Sequence, residues 1–151
     1  MNKVFNKGLA VVLSLLFLLS AGNNAQAVAA NEGIQPLASD YLSHYSAYVY
    51  SPGNGKIEVW FTVHGNGIID EIGALTIVLR ESTDRTNWRT AKTFRYKDYD
   101  DMLFYGESMV SSHVEYSGEV GKYYSAIVTV WGGSGGEGDS RQITTYTIKA
   151  E

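Results

Sequence analysis

Hydrophobic and polar residues alternate along the chain from Asp40 onward, and this period of two predicts β-strands rather than helices. The pattern is clearest over Lys56–His64, where the odd-numbered apolar positions are expected to face the core. The even-numbered positions, which include Trp60 and His64, are expected to face outward. The predicted strands are Tyr41–Tyr50, Lys56–His64, Ala74–Ser82, Trp88–Tyr96, Ser111–Tyr116, Lys122–Trp131 and Ser140–Ala150.

About seven short strands separated by turn-forming residues predict an all-β fold, a single antiparallel β-sandwich of the immunoglobulin-like or fibronectin type III-like kind. The expected domain covers residues 40–151, after a linker at residues 28–39 that has no periodicity. Residues 97–109 are expected to form a long connection. The sequence contains no cysteine, so the sandwich is expected to have no disulfide.

Tyr124 stands near the start of the predicted strand Lys122–Trp131, two residues before the small residue Ala126. This arrangement is typical of a tyrosine corner, in which the hydroxyl group bonds to the backbone of the preceding loop. Tyr124, Ala126, Val128 and Val130 are expected to share the core face. Tyr123 is the alternative corner residue if the opposite face is buried.

Residues 1–27 have the features of a secretory signal peptide. Lys3 and Lys7 precede the apolar run Leu9–Leu19, and Ala25-Gln26-Ala27 provides small residues for cleavage. A transmembrane anchor is the alternative, but the run is shorter than the roughly 20 residues that span a bilayer. We expect cleavage after Ala27, with a second candidate site after Ala30, and an extracellular, secreted product free of the membrane.

The acidic balance of the chain limits its partners. The formal net charge is −4, and loss of the two signal lysines lowers it to −6. Nucleic acids and anionic membrane surfaces select basic proteins, so neither is an expected partner. The absence of cysteine excludes a cysteine nucleophile and a cysteine-ligated zinc site. A cysteine-free exported protein also suits a Gram-positive bacterium.

Residues 82–88 (STDRTNW) resemble the Asp-box hairpin of extracellular β proteins. In such a turn the serine and aspartate side chains accept backbone N–H groups, and the tryptophan packs beneath them. The match is partial, because the loop is one residue shorter and Thr86 stands in the glycine region. A structural role is expected for this hairpin.

Two places carry the candidate ligand-binding residues. One is the outward face of the strand Lys56–His64, where Trp60 and His64 lie beside other polar groups. The other is the segment Gly132–Gly138, with five glycines in seven residues. A phosphate cradle is disfavoured there because a strand follows, whereas a flexible hairpin tip or a binding loop is compatible. Its flanking candidates are Trp131, Glu137, Asp139 and Arg141.

The sequence predicts no catalytic residue, no cofactor and no metal site. The three histidines, His44, His64 and His113, lie on different predicted strands without supporting spacing. The acidic run Asp98–Asp101 lacks the spacing of an EF-hand, so a solvated loop is favoured over a calcium site. No serine lies in a nucleophile elbow, and no pair of carboxylates is selected by pattern.

Several stretches resemble an uncharacterised family of small secreted proteins from clostridia-like Gram-positive bacteria, a domain of unknown function. The resemblance covers essentially the whole mature chain and implies export, one domain and no enzymatic activity. Its stretches are Gln35–Leu42, Gly53–Phe61, Asp70–Leu75, Glu81–Asp84, Gly121–Tyr124 and Gly138–Arg141.

The sequence therefore predicts a secreted, non-catalytic binding or interaction module for an extracellular glycan or protein. The ligand stays unidentified, and a carbohydrate or the cell envelope is one candidate. Two alternatives stay open. One is a self-associating structural protein or bacteriocin-like effector, which an exposed edge strand would favour. The other is a small extracellular hydrolase, which acids and histidines converging in one deep pocket would favour.

Overall fold

The computed structural model describes residues 39–151, and the expected signal peptide and nearly all of the linker lie outside them. The described chain is almost entirely β-structure, which confirms the all-β prediction and the number of strands. The elements are β1 (Leu42–Gly53), β2 (Lys56–Ser82), β3 (Arg89–Arg95), a short 3₁₀ helix (Asp100–Met102), β4 (Leu103–Ser117), β5 (Tyr123–Ser134), β6 (Glu137–Thr144) and β7 (Ile148–Lys149).

All seven strands belong to one antiparallel sheet that is curled into a half-barrel. Strand β2 is its spine, because four other strands pair with it. The first part of β2 lies between β1 and β4, and the last part lies between β3 and β5. The two layers expected of a sandwich are thus two halves of one continuous sheet, which β6 and β7 extend from β5.

Three predicted boundaries are corrected. The predicted strands Lys56–His64 and Ala74–Ser82 are parts of one 27-residue strand, because Gly65–Gly67 continues the extended chain instead of ending it. Register shifts between His64 and Ile69 and between Ala74 and Thr76 bend the strand there. Residues 103–109, expected in a connection, begin β4, and the predicted last strand divides into β6 and β7.

The core forms where the inward-facing side chains of both halves of the sheet meet. The alternation in β2 is as predicted, with Ile57 and Val63 fully buried. In β5 the expected inward face is confirmed, since Tyr124, Ala126, Val128 and Val130 are all fully buried. Such burial of apolar side chains is the dominant favourable contribution to folding.

The tyrosine corner is confirmed at Tyr124. Its hydroxyl oxygen accepts the backbone N–H of Glu119 at 2.9 Å, in the loop before β5. The same hydroxyl donates to the buried carboxylate of Glu81 at 3.2 Å. Tyr123 instead lies half-buried, with the cations of Arg85 and Lys149 over its ring.

The Asp-box-like turn has the hydrogen bonds that the sequence predicts. The Oδ1 atom of Asp84 accepts the backbone N–H groups of Thr86 and Asn87, both at 2.8 Å. These bonds hold the pKa of the Asp84 carboxyl far below its usual range. Ser82 Oγ accepts the N–H of Arg85, and the indole of Trp88 donates to the Arg85 carbonyl. The turn joins β2 to β3.

Candidate binding face

The outward side chains of β1, the first part of β2 and the last part of β4 form one three-stranded surface, which we call the outer face. Because opposite residues in an antiparallel ladder share a side, the register of these strands sorts the side chains into rows. The four rows are Tyr50–Glu58–Glu115, Tyr48–Trp60–His113, Ser46–Thr62–Ser111 and His44–His64–Met109.

An aromatic row crosses the middle of the outer face. The rings of Trp60 and His113 stack with centroids 4.3 Å apart and planes inclined by 16°. On the other side, Tyr48 lies parallel to Trp60 within 5°, at a centroid distance of 6.3 Å. Trp60 faces outward as predicted, but its neighbours leave it only partly exposed. The most exposed aromatic side chains of this surface are Tyr48, at 52%, and Tyr50, at 51%.

Three charged side chains, those of Lys56, Glu58 and Glu115, adjoin the aromatic row. The indole N–H of Trp60 donates to Glu58 Oε2 at 2.9 Å and, as the largest cause, lowers the pKa of that carboxyl. The ammonium of Lys56 lies 3.2 Å from Glu58 and 2.7 Å from Glu115. Its hydrogen bond to Glu115 raises the pKa of Lys56 and lowers that of Glu115.

The far end of the outer face carries hydroxyl groups and two histidines. The hydroxyls of Thr62 and Ser111 are hydrogen-bonded at 3.1 Å across β2 and β4. His64 meets His44 edge to face, with ring centroids 5.6 Å apart. The predicted residue His64 therefore shares the surface with Trp60, one row beyond the hydroxyl pair.

The glycine-rich segment contains the tip of a hairpin between β5 and β6, as one of the two sequence interpretations expects, but the tip is short. Strand β5 continues through Ser134, and β6 begins at Glu137, so only Gly135 and Gly136 turn the chain. Both have positive φ, 66° and 86°, as a tight type I′ hairpin requires. The ring of Trp131 covers this hairpin so closely that a Cβ atom on Gly138 would collide with it.

The predicted residues of this hairpin have structural contacts. The indole of Trp131 donates to Glu71 on β2 at 3.1 Å. Asp139 Oδ2 accepts the hydroxyl of Ser39 at 2.6 Å and the backbone N–H of Tyr41 at 3.2 Å. These bonds lower the pKa of Asp139 and fasten the start of β1 to β6.

The six predicted site residues therefore lie in two places. Trp60 and His64 belong to the outer face, whereas Trp131, Glu137, Asp139 and Arg141 belong to the β5–β6 hairpin. Glu137 is exposed beside the turn, and Arg141 donates to the Ser140 carbonyl at 2.8 Å. Sequence reasoning missed Tyr48, His113 and Glu115, which reach Trp60 and Glu58 from neighbouring strands.

Potential metal ligands also gather on the outer face. In the described part of the chain, one group of three such side chains has ligand atoms all within 4.8 Å of one another: Glu58, His113 and Glu115. The 3₁₀-helical residues Asp100 and Asp101 border an adjacent hollow of about 330 Å³, together with His113 and Glu115. The acidic run Asp98–Asp101 thus lies near the outer face.

Comparison of the sequence with protein-family models gives no match, and comparison with curated proteins gives none either. The resemblance to a secreted clostridial family therefore stays a prediction. Among residues 39–151, the structure contains no helix with the length and apolar character needed to cross a membrane.

Proposed function

We propose that this protein is a secreted, non-catalytic binding module that holds an extracellular glycan on its outer face. The observation that carries the proposal is the pair of half-exposed rings, Tyr48 and Tyr50. Tyr48 belongs to the same aromatic row as Trp60 and His113, and Tyr50 lies in the next row. Aromatic rings with an exposed apolar body and a polar tip are favoured contact groups at binding surfaces.

The polar groups around the rings favour a sugar over an apolar ligand. A sugar presents an apolar C–H face and a rim of hydroxyl groups. Tyr48 and Tyr50 offer apolar ring surface, while Glu58, Glu115 and the Thr62–Ser111 pair offer hydrogen-bonding groups on the same side of the sheet. Three adjacent strands support these groups, so little ordering entropy is lost on binding.

Non-catalytic binding is favoured over hydrolysis by the openness of the surface. A hydrolase requires acids and histidines that converge in a deep pocket. Glu58, His113 and Glu115 instead project from a sheet face, and the side chain of Glu115 is 52% exposed. Export, which the sequence predicts from residues 1–27, would place the module where envelope glycans occur.

A glycan and peptidoglycan array on the purified protein tests the proposal, with Tyr48→Ala and Trp60→Ala as variants. Loss of a central aromatic anchor is expected to cost about 2 kcal/mol of binding free energy, roughly thirtyfold in affinity. Tyr146→Ala is the matched control, because Tyr146 is 94% exposed on a different segment. Absence of wild-type binding, or equal binding by all variants, would contradict the proposal.

Self-association is the second candidate function, and strand β4 favours it. Among the described strands, β4 pairs only with β2, although it is 15 residues long. An edge strand with unpaired N–H and C=O groups is a template for pairing with another chain. A mass that rises with concentration in sedimentation experiments would favour this function over glycan binding.

A further inference from the structure

Two carboxylates of the outer face lie directly opposite one another. Glu58 on β2 and Glu115 on β4 are register partners, and like charges at such positions destabilise a sheet. The ammonium of Lys56 lies between them, within 3.2 Å of one carboxylate and 2.7 Å of the other. The structure therefore already holds a cation at this point.

The neighbouring His113 adds a nitrogen ligand. It lies two residues before Glu115, so both side chains project from the same side of β4. Its Nε2 atom is 3.4 Å from Glu115 Oε1. His113 and Glu115 are two residues apart on β4, and Glu58 is on the adjacent β2. Their side chains therefore converge on one point above the sheet.

We propose that Glu58, His113 and Glu115 form a binding site for a divalent transition-metal ion of the Zn²⁺ type, which displaces the ammonium of Lys56. One histidine nitrogen and two carboxylate oxygens are a donor set that zinc accepts. Ligands about 2.0–2.2 Å from one zinc ion lie within about 4 Å of one another. The ligand atoms lie within 4.8 Å of one another, so small side-chain rotations complete the site.

Trp60 holds two of the ligands in place. Its indole N–H donates to Glu58 Oε2 at 2.9 Å, and its ring stacks on that of His113 at 4.3 Å. Groups that orient metal ligands in this way raise affinity and restrict geometry. Lys56 is able to leave, because its side chain is 43% exposed to solvent.

The surroundings favour a dication but select against calcium and magnesium. Asp100 and Asp101 border the hollow beside His113 and Glu115 and add negative charge to it. Calcium and magnesium prefer sites made of oxygen ligands, whereas an imidazole nitrogen favours zinc and its neighbours. The donor set therefore predicts binding of Zn²⁺ and not of Ca²⁺ at the same concentration.

Calorimetric titration of the full-length purified protein with zinc chloride tests the site without any glycan. We expect one Zn²⁺ per chain and a change in the NMR signals of the His113 ring. Lys56→Met, which keeps the aliphatic stem and removes the competing charge, should tighten binding roughly tenfold. Glu58→Gln and His113→Asn should each weaken it by about tenfold or more, since each removes a ligand.

The control variants distinguish binding at this site from zinc binding elsewhere on the chain. His64→Asn changes an outer-face histidine one row beyond the hydroxyl pair and should leave zinc affinity unchanged. Glu58→Gln retains an acceptor for the Trp60 indole, so circular dichroism should show a folded chain. Zinc binding that survives in both Glu58→Gln and His113→Asn would overturn the proposal. So would the absence of binding in both the wild type and Lys56→Met. Failure of the glycan array would affect neither result.

Discussion

The hydroxyl of Tyr124 links the loop before its own strand to a residue of β2 that is 43 positions away in the sequence. It accepts from the Glu119 backbone in the loop before β5 and donates to Glu81 near the end of β2. Burial opposes ionisation of Glu81, but its bonds to Arg89, Lys122 and Tyr124 keep the pKa of this carboxyl below its usual value. Together with Arg89 and Lys122, the Tyr124 hydroxyl therefore keeps the buried carboxylate of Glu81 ionised.

Replacing Tyr124 with Phe should destabilise the domain by about 1–2 kcal/mol, because the backbone N–H of Glu119 and the buried carboxylate of Glu81 each lose a hydrogen-bond partner. Equilibrium unfolding in urea measures the change as a lower denaturation midpoint at unchanged slope. Tyr123→Phe is the control, since the neighbouring ring is half-buried between Arg85 and Lys149. Equal midpoints for wild type and Tyr124→Phe would refute this role.

At the scale of the element, the contact between β2 and the 3₁₀ helix depends on Gly73. Its φ is +152°, and a Cβ atom at this position would collide with the carbonyl oxygen of Met102. Glycine thus lets the 3₁₀ helix before β4 lie directly against the spine strand. Gly67 has the same φ of +152°, but a Cβ atom added there would meet no atom within 4 Å.

The comparison of Gly73→Ala with Gly67→Ala separates backbone strain from close packing. Both variants incur the conformational cost of alanine at this φ, but only Gly73→Ala also displaces backbone. We expect Gly73→Ala to lose about 2 kcal/mol more stability than Gly67→Ala, as overpacked sites do. Similar denaturation midpoints for the two variants would show that the contact with Met102 is easily relieved.

The strand pattern was predictable because side chains alternate with the pleat. The inward set of Lys56–His64 and the inward set of β5 both follow from period two. The fusion of two predicted strands into β2 was not predictable in this way, since Gly65–Gly67 has the composition of a turn. Whether such glycines reverse the chain or bend it depends on pairing with β4, which is a tertiary contact.

Half of the candidate site was predictable for the same reason. The outward position of Trp60 and His64 follows from their own strand, but the contacts with Tyr48 and His113 depend on the register between strands. A local signal for Tyr48 was present, because His44, Ser46, Tyr48 and Tyr50 alternate with more buried residues of β1. Glu115, the register partner of Glu58 on β4, had no local signal of this kind.

At the scale of the whole molecule, one sheet separates two chemical environments. The curled side encloses the apolar core, whereas the outer face presents aromatic rings and charges to solvent. In the β5–β6 hairpin, Trp131 and Asp139 are instead engaged in hydrogen bonds to Glu71 on β2 and to the backbone just before β1. The glycan and metal proposals therefore concern one surface, and Trp60 is common to both.

Export is the premise that gives this surface access to envelope glycans, and the processed N-terminus tests it. We predict that the secreted protein begins at Val28, because Ala25-Gln26-Ala27 has the small residues that signal peptidase selects. Cleavage there, or after Ala30, precedes Ser39 and keeps its bond to Asp139. Intact-mass spectrometry of the culture medium measures the terminus. An uncleaved chain retained in the cell would remove the extracellular premise, while zinc binding by the purified protein would be unaffected.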